Sequence, residues 1–160
     1  SQGLNQPKNL KELIGFNIKN KDTVLTHFDQ NIFLFSEETF GQKEKYLAAL
    51  KKTKNISTEH IDSLLKKERL SAIVGLTRGP AWEIDYKGGD EAASQKQPSW
   101  GIGGYAAMAG YPHITIPLGF VKGLPVGLSF ISSAWRDKEV IEMAYAFEQK
   151  NKPLQEQRKE

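Results

Sequence analysis

The sequence has no cysteine, only three histidines, and no apolar stretch approaching the length of a membrane span. Without cysteine there is no disulfide framework, no thiolate zinc site and no cysteine nucleophile. Crossing a bilayer takes roughly 20 apolar residues, and none of the apolar runs comes near that; the polar first residues also lack the basic and apolar regions of a secretory signal. The expectation is a chain without a membrane partner, working in the cytoplasm. Ser1 stands where an initiating Met would be, which suits a processed chain or a fragment. None of His27, His60 and His113 has a second histidine or a carboxylate at the i+3 or i+4 spacing of a helical metal pair, so neither a metal nor any other cofactor is expected.

What is present is globular in composition. Hydrophobic residues make up 39% and charged residues 26% of the 160 positions, far from the composition of a disordered chain. A domain of about 150 residues buries roughly 70% of the surface its unfolded chain exposes, so a sizeable core is attainable. Residues 1–152 read as one domain portion and 153–160 as a charged, frayed tail. The net charge of +3 is uneven: residues 1–80 carry 13 basic and 9 acidic side chains, residues 81–160 carry 9 and 10. Lys51, Lys52, Lys54, Lys66, Lys67 and Arg69 fall opposite apolar stripes on predicted helices, which makes them a solvated face and not a nucleic-acid surface.

Periodicity predicts the elements. Leu10, Leu13 and Ile14 begin an amphipathic helix that glycine and asparagine interrupt or end within 15–20, and residues 28–40, whose periodicity alone does not decide between helix and strand, lean to a second helix. Tyr46, Leu47 and Leu50 mark a third, and Ile61, Leu64 and Leu65 a fourth, capped by Ser57. The nearly continuous apolar run 70–76 predicts a strand covered on both faces and central in a sheet. Residues 77–100 show no period and read as a long loop of the length that often carries function. A small-residue helix follows over 101–109, with Ser99 as cap, Gly110 as stop and close packing at Ala106, Ala107 and Ala109. Ile114, Ile116, Leu118 and Phe120, then Val126, Leu128 and Phe130, alternate about Lys122-Gly123-Leu124 as a hairpin, with Pro117 at an edge or bulge. A last helix over 137–150 begins with an acidic cap at Asp137 and lines up Val140, Ala144 and Phe147. The fold class is therefore α/β, a mixed sheet with a C-terminal antiparallel hairpin packed by helices.

Chemistry is sparse. Gly127-Leu128-Ser129-Phe130-Ile131 approaches the Gly-x-Ser-x-Gly elbow of serine hydrolases but lacks the closing glycine, and alternation puts Ser129 inside a strand, where its role is structural. Ser132-Ser133 closes that strand and serves a turn. His113 follows Pro112 at the mouth of the hairpin, where it could approach a ligand, but a loop histidine in contact with water is the favoured reading. Gly101-Ile102-Gly103-Gly104-Tyr105-Ala106 resembles a dinucleotide fingerprint without the preceding strand, so the glycines read as close helix packing. Glu83 and Asp85 stand two apart in the loop and read as solvent-exposed. No complete catalytic set is present.

Three blocks resemble the carboxy-terminal third of the amidase-signature family: Ala106-Ala107-Met108-Ala109-Gly110-Tyr111-Pro112-His113-Ile114-Thr115-Ile116-Pro117-Leu118-Gly119, then Gly123-Leu124-Pro125-Val126-Gly127-Leu128-Ser129-Phe130, then Ala144-Tyr145-Ala146-Phe147-Glu148-Gln149. The resemblance extends upstream through Phe16-Asn17, Phe28-Asp29-Gln30, Leu70-Ser71-Ala72-Ile73-Val74 and Thr77-Arg78-Gly79-Pro80-Ala81-Trp82. Where the family commonly has Ala-Pro-Thr this chain has Gly75-Leu76-Thr77, and Asp29 replaces the usual glycine before Gln30.

The resemblance implies a partial amidase-signature fold from a serine hydrolase of amide bonds that uses a Ser–cis-Ser–Lys triad and a glycine- and serine-rich segment. Those elements lie in the family's amino-terminal and central parts, and no triad residue matches a position here. By this resemblance the chain supplies sheet and pocket wall, with Trp82, Thr77 and Arg78 as substrate-binding residues, and is inactive alone. Its expected partners are the missing amino-terminal catalytic portion, a small-molecule or peptide amide, and a second copy of itself as a homodimer. The alternative is a stand-alone, non-catalytic binding or scaffold domain with an amidase-like fold.

Overall fold

The computed structural model describes residues 6–95 and 101–151, with the side chains of residues 90 and 91 excepted. The expected Ser99 cap and the 153–160 tail lie outside the described residues. The chain divides into two compact units, Ser1–Leu47 with Glu83–Lys96, and Ala48–Trp82 with Gln97–Glu160.

The first unit is helical. Helix α1 (Leu10–Lys19) starts where Asn9 Oδ1 accepts the Glu12 backbone N–H at 2.9 Å, while the Glu12 carboxylate accepts the Lys8 backbone N–H at 2.8 Å. One free N–H at the helix start, that of Glu12, is thus satisfied, and the same side chain ties down the residue before the cap. The helix runs through Gly15 and ends at Asn20, whose side chain donates to the Phe16 carbonyl. A short α2 (Lys21–Val24) leads to α3 (Asn31–Glu38), opened by Asp29 Oδ1, which accepts the Asn31 N–H at 3.0 Å. Gln30, 8% exposed, accepts from Asn17 Nδ2 at 3.1 Å and ties α1 to the start of α3. No residue of α3 is buried.

Residues 43–67 form one helix, α4 (Lys43–Lys67), and not the two expected. Thr53, Asn55, Ser57 and Thr58 weaken helix propensity without breaking it, since no glycine or proline stands among them. Ser57 is a buried mid-helix residue, not a cap.

The second unit is built on a three-stranded antiparallel sheet in the order β1-β3-β2, with β1 Ile73–Leu76, β2 His113–Val121 and β3 Leu124–Ile131. The predicted hairpin is β2 and β3, joined through Lys122 (φ 51) and Gly123 (φ 78), a pair of left-handed residues whose twist suits a two-residue turn. Its register shifts between Pro117 and Gly119, the irregularity that a residue without an N–H calls for. Among the described strands β1 is an edge, and the central place expected for it belongs to β3. An apolar run reports burial of side chains and is blind to which neighbours its backbone has; Val74 is in fact 49% exposed. The loop expected over 77–100 also holds a helix, α5 (Gly89–Gln95), preceded by a turn in which Asp85 Oδ1 accepts the Lys87 and Gly88 N–H groups.

Both faces of the sheet are covered. On one, Ile131 meets Ile61 and Leu65 of α4 and Ala106 and Ala109 of α6 (Gly103–Ala109). On the other, Ile116 and Phe130 meet Val140 and Ala144 of α7 (Asp137–Lys150). Burying a valine-sized side chain contributes about 1.5–3 kcal/mol. Phe147 adds an edge-on contact with Phe130 at 6.0 Å between ring centroids. Asp137 is the first helical residue of α7 rather than its cap, and Arg136 occupies the cap position without a side-chain capping bond, its Nε donating instead to Glu139 Oε1 at 3.4 Å. Helix α6 stops at Gly110 in the left-handed conformation (φ 73), as expected. Ser132, fully buried, donates to the Ser71 carbonyl at 2.9 Å and pins the end of β3 to the approach of β1.

Just beyond α6, Tyr111 Oη donates to Asp62 of α4 at 2.6 Å. Burial, then the hydrogen bond and negative charge of Asp62, push the Tyr111 phenol up from 10.0 to about 12. Because the folded value is the higher one, the tie stabilises fully below the unfolded tyrosine value and is lost as pH rises from about 10 through about 12. Absorbance titration near 295 nm is expected to show one late-ionising tyrosine that moves towards 10.0 in Asp62→Asn. Ala106 has no exposed surface, whereas Ala107 is exposed, which corrects the close packing expected there. Ala106→Leu should therefore cost about 1–3 kcal/mol in urea unfolding, and Ala107→Leu less than about 0.5 kcal/mol.

Candidate functional site

Strand alternation leaves a second set of side chains pointing away from α7. His113 pairs with Ile131, Thr115 with Ser129 and Ser129 in turn with Gly75, and Thr77 donates its backbone N–H to the Gly127 carbonyl. Residues 113, 115, 129 and 77 therefore share the face that Ile131 and Ile73 present to α6. At that end of the sheet the apolar core gives way to a polar row.

The row is closely bonded. Ser129, with no exposed surface, has its Oγ 2.6 Å from His113 Nε2 and donates to Thr77 Oγ1 at 2.8 Å. Thr77 donates in turn to Thr115 Oγ1 at 3.3 Å, and Thr115 lies 3.4 Å from both Ser129 Oγ and His113 Nε2. A buried hydroxyl without partners costs about 1–3 kcal/mol, and this row satisfies its own. Two glycines make the space. A Cβ on Gly127 would lie 2.6 Å from Thr115 Cγ2 and 2.9 Å from Thr77 Oγ1, and one on Gly75 would lie 2.9 Å from Ile102 Cγ2. The glycine at 75, a departure from the family pattern, is thus where Ile102 settles against β1.

A serine 2.6 Å from a histidine invites comparison with a nucleophile and its base. Which of the two donates depends on the tautomer of the imidazole, since the serine hydroxyl can turn its hydrogen to either His113 or Thr77. Ser129 has no exposed surface from which to meet a substrate, and no carboxylate orients the imidazole among the described residues. Ser129 lies inside β3, where the alternation put it. His113, expected in a loop, opens β2 and is exposed while bonded to the row.

The three expected substrate-binding residues part company. Thr77 turns into the polar row, whereas the Arg78 guanidinium carbon sits 4.7 Å from the Trp82 ring centroid. Such a cation–π contact is worth about 0.5–1 kcal/mol at an exposed site. Trp82 is half-buried and Arg78 exposed. Sequence reasoning missed the participation of His113 and Thr115; the available signal was the polar half of the hairpin's alternation, which aligns His113 and Thr115 with Ser129 across the pair. Among the described residues no three His, Cys, Asp or Glu side chains gather as a metal site, and no helix is long and apolar enough to cross a membrane.

No family model matches the chain. A solved structure of the peptide amidase PAM with the competitive inhibitor chymostatin is 35% identical, with a TM-score of 0.80 over 91% of this chain and 29% of that one. A "Probable amidase" of Arabidopsis thaliana is 31% identical over 144 residues, 89% of this chain and 24% of that protein. One of the glutamyl-tRNA(Gln) amidotransferase subunits of Azotobacter vinelandii is 30% identical over 105 residues, 65% of this chain and 21% of that protein. The chain spans between a fifth and a third of the length of these relatives. It is a homologue of amidases over part of their length, consistent with the carboxy-terminal portion of the amidase-signature family.

Proposed function

We propose that the chain is the carboxy-terminal part of a serine hydrolase of carboxylic amides, that it supplies sheet and substrate-pocket wall, and that it does not hydrolyse amides by itself. The observation that carries this reading is the disproportion in coverage: the peptide amidase fold extends over 91% of this chain, which accounts for 29% of that enzyme. The polar row agrees with it, because its serine has no exposed surface for a substrate to reach and no carboxylate orients its histidine among the described residues.

Exposed apolar surface supports the need for a partner. Ile32, Phe35 and Phe40 are 78%, 67% and 83% exposed, and among the described residues more large apolar side chains are exposed than buried. Apolar surface on this scale marks a place where another protein surface belongs. The partner in this reading is the remainder of the same hydrolase, with a second copy of this chain as the alternative cover. Similarity to a peptide amidase favours a peptide amide as substrate. Trp82, with Arg78 over its ring, and Thr77 form the wall offered to it.

The 160-residue chain is expected to release no ammonia from a C-terminally amidated dipeptide above the buffer rate, while the longest product of its source gene does. Turnover by the short chain that disappears with one of its own serines would overturn the reading. In the longer product, Trp82→Ala should raise KM for the amide several-fold and leave kcat within about twofold, as loss of uniform binding does. An unchanged KM removes Trp82 from the wall.

A further inference from the structure

Two blocks of the family resemblance, Phe16-Asn17 and Phe28-Asp29-Gln30, have no part in the polar row, and one bond within the first unit joins them. Asn17 Nδ2 donates to Gln30 Oε1 at 3.1 Å, and neither side chain has another hydrogen bond among the described residues. The pair therefore leaves one carboxamide nitrogen and one carboxamide oxygen unused. This holds whichever way round the two amides are turned: reversing both makes Gln30 Nε2 the donor and frees Gln30 Oε1 and Asn17 Nδ2 instead. Gln30 is 8% exposed and Asn17 half-buried, yet no buried side-chain nitrogen or oxygen among the described residues lacks a partner. The unused nitrogen and oxygen thus reach the surface, on amide heads that touch one another. A glutamine free to extend would carry its head into water; this one is buried along its length and held by Asn17, so its outward donor and acceptor are arranged before any ligand arrives.

We propose that Asn17 and Gln30 form a receiving site for one residue of an extended main chain, supplied by the remainder of the hydrolase. In a strand the N–H and C=O of one residue point to the same edge, and a neighbour that offers an acceptor and a donor together takes both. The amide pair offers that combination, whereas a carboxylate or an ammonium would satisfy only one half of it. Near the pair along the chain, Phe16 and Phe28 are about half exposed and Ile32 more so, which gives the side chains of a docked segment apolar surface to rest on. The choice of occupant rests on the amide-hydrolase reading above: the relatives carry most of their length outside the share that this chain matches. The site holds and positions a segment and takes no part in bond breaking.

The test reads the exchange with water of the Gln30 carboxamide protons by NMR, with 15N-glutamine labelling, in the 160-residue chain and in the longest product of its source gene. The signal is assigned by its loss in Gln30→Glu, which keeps the bond from Asn17, or in Gln30→Met should that variant not fold. Exchange is expected to be about tenfold slower or more in the longer product than in the short chain. In Asn17→Ala of the longer product most of that slowing should go, and a backbone N–H of the remainder should exchange faster as well, having lost its acceptor. Equal rates in the two unaltered proteins would mean that water alone occupies the pair and would overturn the proposal. So would slowing that Asn17→Ala leaves unchanged, slowing that grows in the short chain with its concentration, which marks a second copy as the occupant, or a source gene with no longer product. No turnover is read, so slowed exchange in a longer product that releases no ammonia sinks the hydrolase reading and leaves the contact standing, while ammonia release with unslowed exchange does the reverse.

Discussion

The alternation of side chains along β3 is the constraint on which the second unit depends. This strand has neighbours on both sides, so Leu128–Ile131 are held in register twice, and each face they present must be filled. Leu128 and Phe130 supply the face under α7, and Ile131 supplies the face under α4 and α6. A slip of one residue would exchange these sets and put the Ser129 hydroxyl into the apolar layer under α7. The hairpin turn at Lys122-Gly123 and the irregularity at Pro117 set that register locally, and the two helix layers enforce it from outside.

The polar row follows from the same constraint. Ser129 lies on the α6 face of a strand that has no solvent access at that point, so its hydroxyl needs partners from the flanking strands. Thr77 and Thr115 supply them from either side, and His113 closes the row where β2 begins. Burial of the Ser129 hydroxyl and the lack of a carboxylate beside His113 among the described residues separate the site from a serine nucleophile with its base, although the serine–histidine distance alone would suit one.

Much of the chain's apolar surface has no cover within the described residues. Ile32, Phe35 and Phe40 are mostly exposed in the first unit, and Tyr105 and Met108 on α6 are 58% and 45% exposed in the second. The relatives are three to five times longer than the share this chain matches, which gives such surfaces an evident destination in the hydrolase reading.

The local elements were legible because their causes are local. Hairpin pattern, left-handed turn, helix stop at Gly110 and the apolar stripe of α7 all depend on residues a few positions apart, and the amidase resemblance rested on those same blocks. Ser57 has the look of a cap because propensity weakens smoothly across 53–58, yet a helix of 25 residues absorbs the weakness once Ile61 and Leu65 are anchored. Whether β1 is an edge, and whether His113 is tied or free, depends on pairing between residues 16 to 58 positions apart, namely His113 with Ser129 and Ile73 with Ile131. Such pairings leave no periodic trace along the chain. Side-chain chemistry was therefore written in the residues, while the partners each polar group meets were set by which strands came to lie side by side.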